Sequence, residues 1–136
     1  MTKRIYLDYA ATAPTDPEVF KAMEPYFFER FGNPSSIHAF GQEAKKAMEE
    51  ARVQLADFLG AKPEEVIFTS GGTESNNHAV IGTAYAQKDK GNHIITSRIE
   101  HHAVSEPLKF LAKQGFEVTE IAVDKEGLVD PSDVKK

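Results

Sequence analysis

VIFTSGGTESNN (residues 66–77) opens with four β-branched or aromatic residues, turns through Ser-Gly-Gly-Thr, and runs into a stretch that reads as helix. The order strand, glycine turn, helix then repeats downstream. VIFT (66–69) is the expected first strand, and a largely apolar helix follows from 73 to about 90, ended by Gly91. HIITS (93–97) reads as a second strand, and 103–114 as a helix in which Pro107 is tolerated only in the first turn. Gly115 closes that helix, and FEVTEIAV (116–123) is a third strand. Strands separated by helices of ten or more residues call for crossover connections and a mainly parallel sheet covered by helices. The predicted fold class is therefore α/β.

Upstream, IYLDYAATAP (5–14) suggests an extended arm. Thr15-Asp16-Pro17-Glu18 has the spacing of a capping box with proline in the first turn, and Pro25 is expected to kink or end the helix that starts there. FGNPSS (31–36) collects loop-forming residues. Phe40, Ala44, Ala47, Met48, Ala51, Leu55, Phe58 and Leu59 then recur at helical spacing, Gly60 stops the run, and Glu43, Lys46, Glu49, Glu50 and Arg52 form a solvated outer face. Asp130-Pro131-Ser132-Asp133 reads either as the start of a further helix or as a capped terminal turn.

The 136 residues suit one ordinary domain, with 40% hydrophobic and 27% charged residues. A net charge of -5 gives no basic field for a phosphate backbone, which argues against nucleic-acid binding. No apolar run approaches the roughly 20 residues needed to cross a bilayer, and the start lacks a signal-peptide core. The expectation is a soluble, cytoplasmic protein with no membrane partner. Cysteine is absent, so disulfides, thiolate metal sites and thiol nucleophiles are excluded within these residues.

At the Ser70-Gly71-Gly72-Thr73 turn, glycines permit close approach, the first helical N–H groups lack internal acceptors, and the helix dipole favours an anion. The Thr73 hydroxyl would add a donor. The same residues also fit a tight strand-to-helix loop with Thr73 as N-cap. Neither GxxxxGK[ST] nor GxGxxG is present, which argues against nucleoside triphosphates and dinucleotides. Glu100-His101-His102 follows the second strand. A histidine there could stack on a planar ligand or carry a proton, and it fits equally a solvated pair or a helix cap. HExxH is absent, and His38, His78 and His93 show no metal-ligand spacing with that pair.

YLDYAATAP (6–14), FGNPSSIH (31–38), IFTSGGTESNN (67–77) and IITSRIEHHAV (94–104) together resemble the NifS/IscS-like cysteine desulfurases, within the class V aminotransferase group of fold type I pyridoxal phosphate (PLP) enzymes. The resemblance spans essentially the whole chain. It implies the front part of a PLP-binding large domain at 16–136, preceded by an arm at 1–15 that packs with a small domain. By similarity, Gly72 and Thr73 fall where the family binds the PLP phosphate. His101 falls where the family stacks a ring on the pyridine and assists proton transfer. Thr12, Asn33 and His38 are expected near the active-site entrance.

The activity implied is removal of sulfur from L-cysteine, giving L-alanine and an enzyme persulfide for iron–sulfur cluster assembly or other sulfur transfer. The family's Schiff-base lysine and nucleophilic cysteine lie in downstream motifs that are absent here, so the chain alone is expected to be inactive. The implied partners are the remaining carboxyl-terminal part of the enzyme, a second copy in a homodimer, and a sulfur-acceptor or scaffold protein. Two alternatives stay open. One is a related class V enzyme, such as a selenocysteine lyase or an aminotransferase, and the other is a non-catalytic module that binds a phosphorylated ligand or a protein.

Overall fold

Asp16 rather than Thr15 starts the first helix: its carboxylate accepts the Glu18 N–H at 2.8 Å, and Pro17 occupies the first helical position. The computed structural model describes residues 4–135; residues 1–3 of the expected arm and Lys136 lie outside the described residues. The chain divides into two compact units, 1–67 and 68–136.

In the first unit the arm is not extended throughout. Residues 8–12 turn back, with the Ala11 N–H on the Asp8 carbonyl at 3.1 Å and the Tyr6 hydroxyl donating to the Thr12 carbonyl at 3.1 Å. Helix α1 (Pro17–Met23) gives way to the short α2 (Pro25–Phe28), a break that Pro25 enforces by having no N–H to donate. A loop then leads to α3 (Ala39–Leu59), whose 21 residues make it about 31 Å long. Gly60, at φ 66°, ends it in the left-handed conformation. The Ala61 N–H reaches back to the Ala56 carbonyl at 2.9 Å, so the last carbonyls are satisfied.

One residue of the expected solvated face is drawn inward. The Arg52 guanidinium bonds Glu49 at 3.1 Å and also the Val66 carbonyl, leaving its side chain only 19% exposed. Val66 has β backbone angles, φ -97° and ψ 121°, yet residues 66–69 form no strand. A strand is defined by its ladder, and the sheet among the described residues is built from 93–97 and 117–121.

The second unit carries the predicted alternation. Helix α4 (Gly72–Ala86) ends earlier than expected, because the apolar run stops at Ala86. Gln87 leaves helical angles, and residues 87–90 turn instead. Strand β1 (His93–Ser97) matches its expected span. Helix α5 (His102–Lys113) starts one residue early, and β2 (Glu117–Ile121) is the central part of 116–123. The two strands are parallel, with Ile94 beside Val118 and Ser97 beside Ile121.

The starting point of α5 places Pro107 sixth in the helix, beyond the first turn. Its missing N–H leaves the Ala103 carbonyl without an i+4 donor, and its ring is buried. Leu108, Leu111 and Phe116 form the centre of the unit, with Val80 and Ala84 from α4 and Ile94 and Val118 from the strands packed on them. Strand alternation puts His93 and Thr119 on the opposite face, where their side chains bond at 2.8 Å. Beyond β2, Asp130 accepts the Ser132 N–H at 2.8 Å and a single 3₁₀ turn follows at Asp133–Lys135.

Candidate functional site: a groove at the amino ends of two helices

Helix α5 follows from the carboxyl end of β1, and the first turns of α4 lie beside its start. A groove of about 560 Å³ lies between them. Thr73, Asn77 and Ile81, spaced four apart, give one wall from α4. His101, His102 and the amino half of α5 give the other. Thr73 and His101, 28 positions apart in sequence, are thereby brought to one site.

Gly71 is the cap residue of α4 and supplies no side-chain cap; Thr73 is the second residue of the helix rather than its cap. The Ser75 N–H is the first to find a helical acceptor, the Gly71 carbonyl at 3.1 Å. The N–H groups of Gly72, Thr73 and Glu74 therefore point out of the helix end without an intrahelical partner. The Thr73 hydroxyl bonds no described residue. A Cβ built on Gly71 or Gly72 would have no atom within 4 Å, so the backbone is open to close approach.

The turn is braced by side chains that the motif reading passed over. One Glu74 carboxylate oxygen accepts both the Ser70 N–H and the Ser70 hydroxyl, each at 2.6 Å. The Thr69 and Ser75 hydroxyls bond each other at 2.6 Å, and Ser75 also donates to the Gly71 carbonyl at 3.2 Å. The Ser70 hydroxyl and then its N–H hold the Glu74 carboxyl below the usual carboxylate range. A serine four residues before a glutamate, across two glycines, was the available sequence signal. Asn77 was also missed; its carboxamide donates to the Thr73 carbonyl at 2.8 Å, an i,i+4 pairing along the groove wall.

His101 is the N-cap of α5. Its Nδ1 accepts the Ala103 N–H at 3.0 Å, so the capping alternative is realised in a residue that also lines the groove. Glu100 folds back to accept the Ser97 hydroxyl at 2.8 Å, closing the loop that delivers His101. Deeper along α5, the Lys109 ammonium bonds Glu106 at 2.6 Å and holds that carboxyl below its ordinary value.

The remaining predicted residues lie in the first unit. Thr12 offers its carbonyl to Tyr6, Asn33 caps its own turn by accepting the Ser35 N–H at 2.9 Å, and His38 is the N-cap of α3. Among the described residues no cluster of histidine and carboxylate side chains could hold a metal ion, and no helix is long and apolar enough to cross a membrane.

Comparison with known proteins sets this geometry in a family. The aminotransferase class-V model matches residues 5–136. The cysteine desulfurase IscS of Dictyoglomus turgidum is 60% identical over 136 residues, covering all of this chain and 34% of that protein. The putative cysteine desulfurase IscS 1 of Bacillus subtilis is 53% identical over 134 residues, covering 98% of this chain and 35% of the relative. The chain thus spans about a third of the length of the curated relatives it matches. Among solved structures, a NifS-like protein superposes with a TM-score of 0.91 at 39% identity, covering 98% of this chain and 36% of its own. SspA in complex with cysteine superposes with a TM-score of 0.86 at 40% identity, covering 96% of this chain and 38% of its own. The predicted α/β class with a parallel sheet is the fold these neighbours share, and over residues 5–136 the chain belongs to the aminotransferase class-V family.

Proposed function

We propose that this chain is the amino-terminal part of a PLP-dependent cysteine desulfurase, which takes sulfur from L-cysteine to leave L-alanine and an enzyme persulfide for iron–sulfur cluster assembly or other sulfur transfer. The observation that carries the reading is the meeting of Thr73 and His101 in one groove at the open amino end of α4. Residues 1–15 are the arm and 16–136 the front of the cofactor-binding large domain. The partners in this reading are the carboxyl-terminal remainder of the enzyme, a second copy of it, and a cytoplasmic sulfur acceptor.

The residues fit PLP. Its phosphate requires several donors, close backbone approach and no competing carboxylate. The outward N–H groups of Gly72 and Thr73, the Thr73 hydroxyl and the open space over the glycines meet the first two needs. The bonds from Ser70 meet the third by turning Glu74 back onto the loop. When bound, PLP would supply an electron-accepting ring that spreads the charge left as the substrate α-proton departs.

The chain's own contributions are positional. Gly72 and Thr73 would donate to the phosphate with help from the α4 dipole, and the Ser70–Glu74 and Thr69–Ser75 bonds keep those donors aimed before any ligand arrives. His101 would lay its ring over the cofactor plane and exclude water from that face. The sulfur-accepting thiolate cannot come from these residues, which contain no cysteine.

The test is a fusion in which residues 1–136 replace the matching third of the Dictyoglomus turgidum enzyme. A monodisperse fusion with the parent's circular dichroism should show a PLP absorbance band and should release alanine and, with a thiol reductant, sulfide from L-cysteine. The isolated chain should release neither. A folded fusion without the band overturns the reading. One that binds PLP but acts only on selenocysteine, or only transfers an amino group to a keto acid, moves it to another class V chemistry.

A further inference from the structure

Two adjacent histidines line the groove, and their rings lie 6.1 Å apart at 57°. Only one is tied to the backbone. His101, at φ -62° and ψ 150°, precedes α5 and accepts the Ala103 N–H on Nδ1, whereas His102 is already the first residue of the helix. An imidazole nitrogen that accepts a hydrogen bond presents a lone pair, so the neutral ring must carry its proton on the other nitrogen.

We propose that the amino end of α5 fixes the tautomer of His101, committing Nδ1 to the helix cap so that the ring meets a ligand only through its face and its Nε2–H. This rests on the cofactor reading above for the identity of the ligand, but not for the tautomer itself. Ala103 is 7% exposed, so water has little access to compete for its N–H. A proton on Nδ1 would oppose that N–H and leave a buried donor unsatisfied, which the fold penalises.

The consequence is a restriction on chemistry. While the cap is made, neutral His101 has no lone pair facing the groove and serves as a hydrogen-bond donor and stacking surface. To take up a proton it must first release Ala103. His38 provides a comparison within the same chain, because it also caps a helix through Nδ1, but at 3.4 Å to the Gly41 N–H, a distance at which the bond is weak. Of the two caps, only the one at the groove is short enough to define a tautomer.

The experiment is nitrogen NMR on the full-length fusion with labelled histidine, in its cofactor-free and PLP-loaded forms near neutral pH. His101 is assigned by the signal lost in His101→Asn, a variant that retains a capping side chain. The expected result is a bare Nδ1 and a protonated Nε2 in both forms. An Nδ1–H tautomer, or rapid averaging of the two, in either form overturns the proposal. As a second measure, Ala103 amide hydrogen exchange should stay nearly unchanged in His101→Asn and quicken by about tenfold in His101→Phe, the factor for a typical lost cap. Equal exchange in parent and His101→Phe also overturns it. A fusion that binds no PLP would sink the proposed function while the cofactor-free spectrum still decides the tautomer.

Discussion

Replacing Gly41 with alanine should destabilise the chain although alanine is the better helix former. Gly41 is the third residue of α3, where propensity alone favours alanine by about 1 kcal/mol. The new Cβ, however, would stand 2.3 Å from the Ser36 carbonyl oxygen, 2.6 Å from the Ser36 Cβ and 2.7 Å from the Asn33 carbonyl oxygen. Normal contact requires about 3.5 Å, so the 33–36 loop must retreat by roughly 1 Å, and overpacking of that kind costs about 1–3 kcal/mol. The same movement strains the Gln42 carboxamide bond to the Ser36 carbonyl and the Ser36 N–H bond to Asn33, now 3.1 and 2.9 Å. Weakening these adds about 1 kcal/mol. The net expectation is a loss of about 1–3 kcal/mol. Urea unfolding followed by circular dichroism measures it as a lower midpoint at unchanged slope. Gly82→Ala is the internal control: it lies inside α4, and the nearest atom to its Cβ is the His78 Cδ2 at 3.5 Å, an ordinary contact, so it should stabilise by up to about 1 kcal/mol. A Gly41→Ala midpoint equal to or above the parent's would refute the steric reasoning.

The Glu74 carboxyl should titrate below an ordinary glutamate, and Ser70→Ala should move it back up, as read by carboxyl-carbon NMR. Because the folded value is depressed, its contribution is fully present above the ordinary carboxylate pKa and lost as the pH falls through the folded value. No response to Ser70→Ala would show that the hydroxyl bond, the larger of the two causes, does not produce the depression; the Ser70 N–H bond is kept in the variant. At the anion site, Thr73→Val keeps the shape and removes one donor, so PLP affinity of the fusion should fall by about 10- to 100-fold, the range for a hydrogen bond to a charged group. Absorbance titration measures this, and unchanged affinity would remove the hydroxyl from the site.

Local signals in the chain were legible wherever they act over a few residues. HIITS was read to its exact ends, since β-branched residues between a turn and a polar loop have few alternatives. Gly60 and Gly115 stop their helices as expected, and the Phe116 N–H reaches the Leu111 carbonyl at 3.1 Å after the second of them. Caps were less legible. Thr15 and Asp16 are both competent, and only the backbone angles decide that Asp16 faces the Glu18 N–H. A one-residue shift also occurs at α5, where His101 is the cap and Pro107 stands sixth in the helix instead of fifth.

The sequence by itself determined the alternation of strand and helix, the glycine turn at 70–73 and the family to which these residues belong, because periodicity, turn chemistry and motif order are properties of neighbouring residues. Only the tertiary structure decided that residues 66–69 form no strand, that Glu74 is tied to Ser70 while the Gly72 and Thr73 donors stay open, and that His101 rather than His102 is held. Strand pairing, competition for hydrogen-bond donors and ring orientation depend on which groups arrive in space with the right geometry, and spacing along the chain does not specify that.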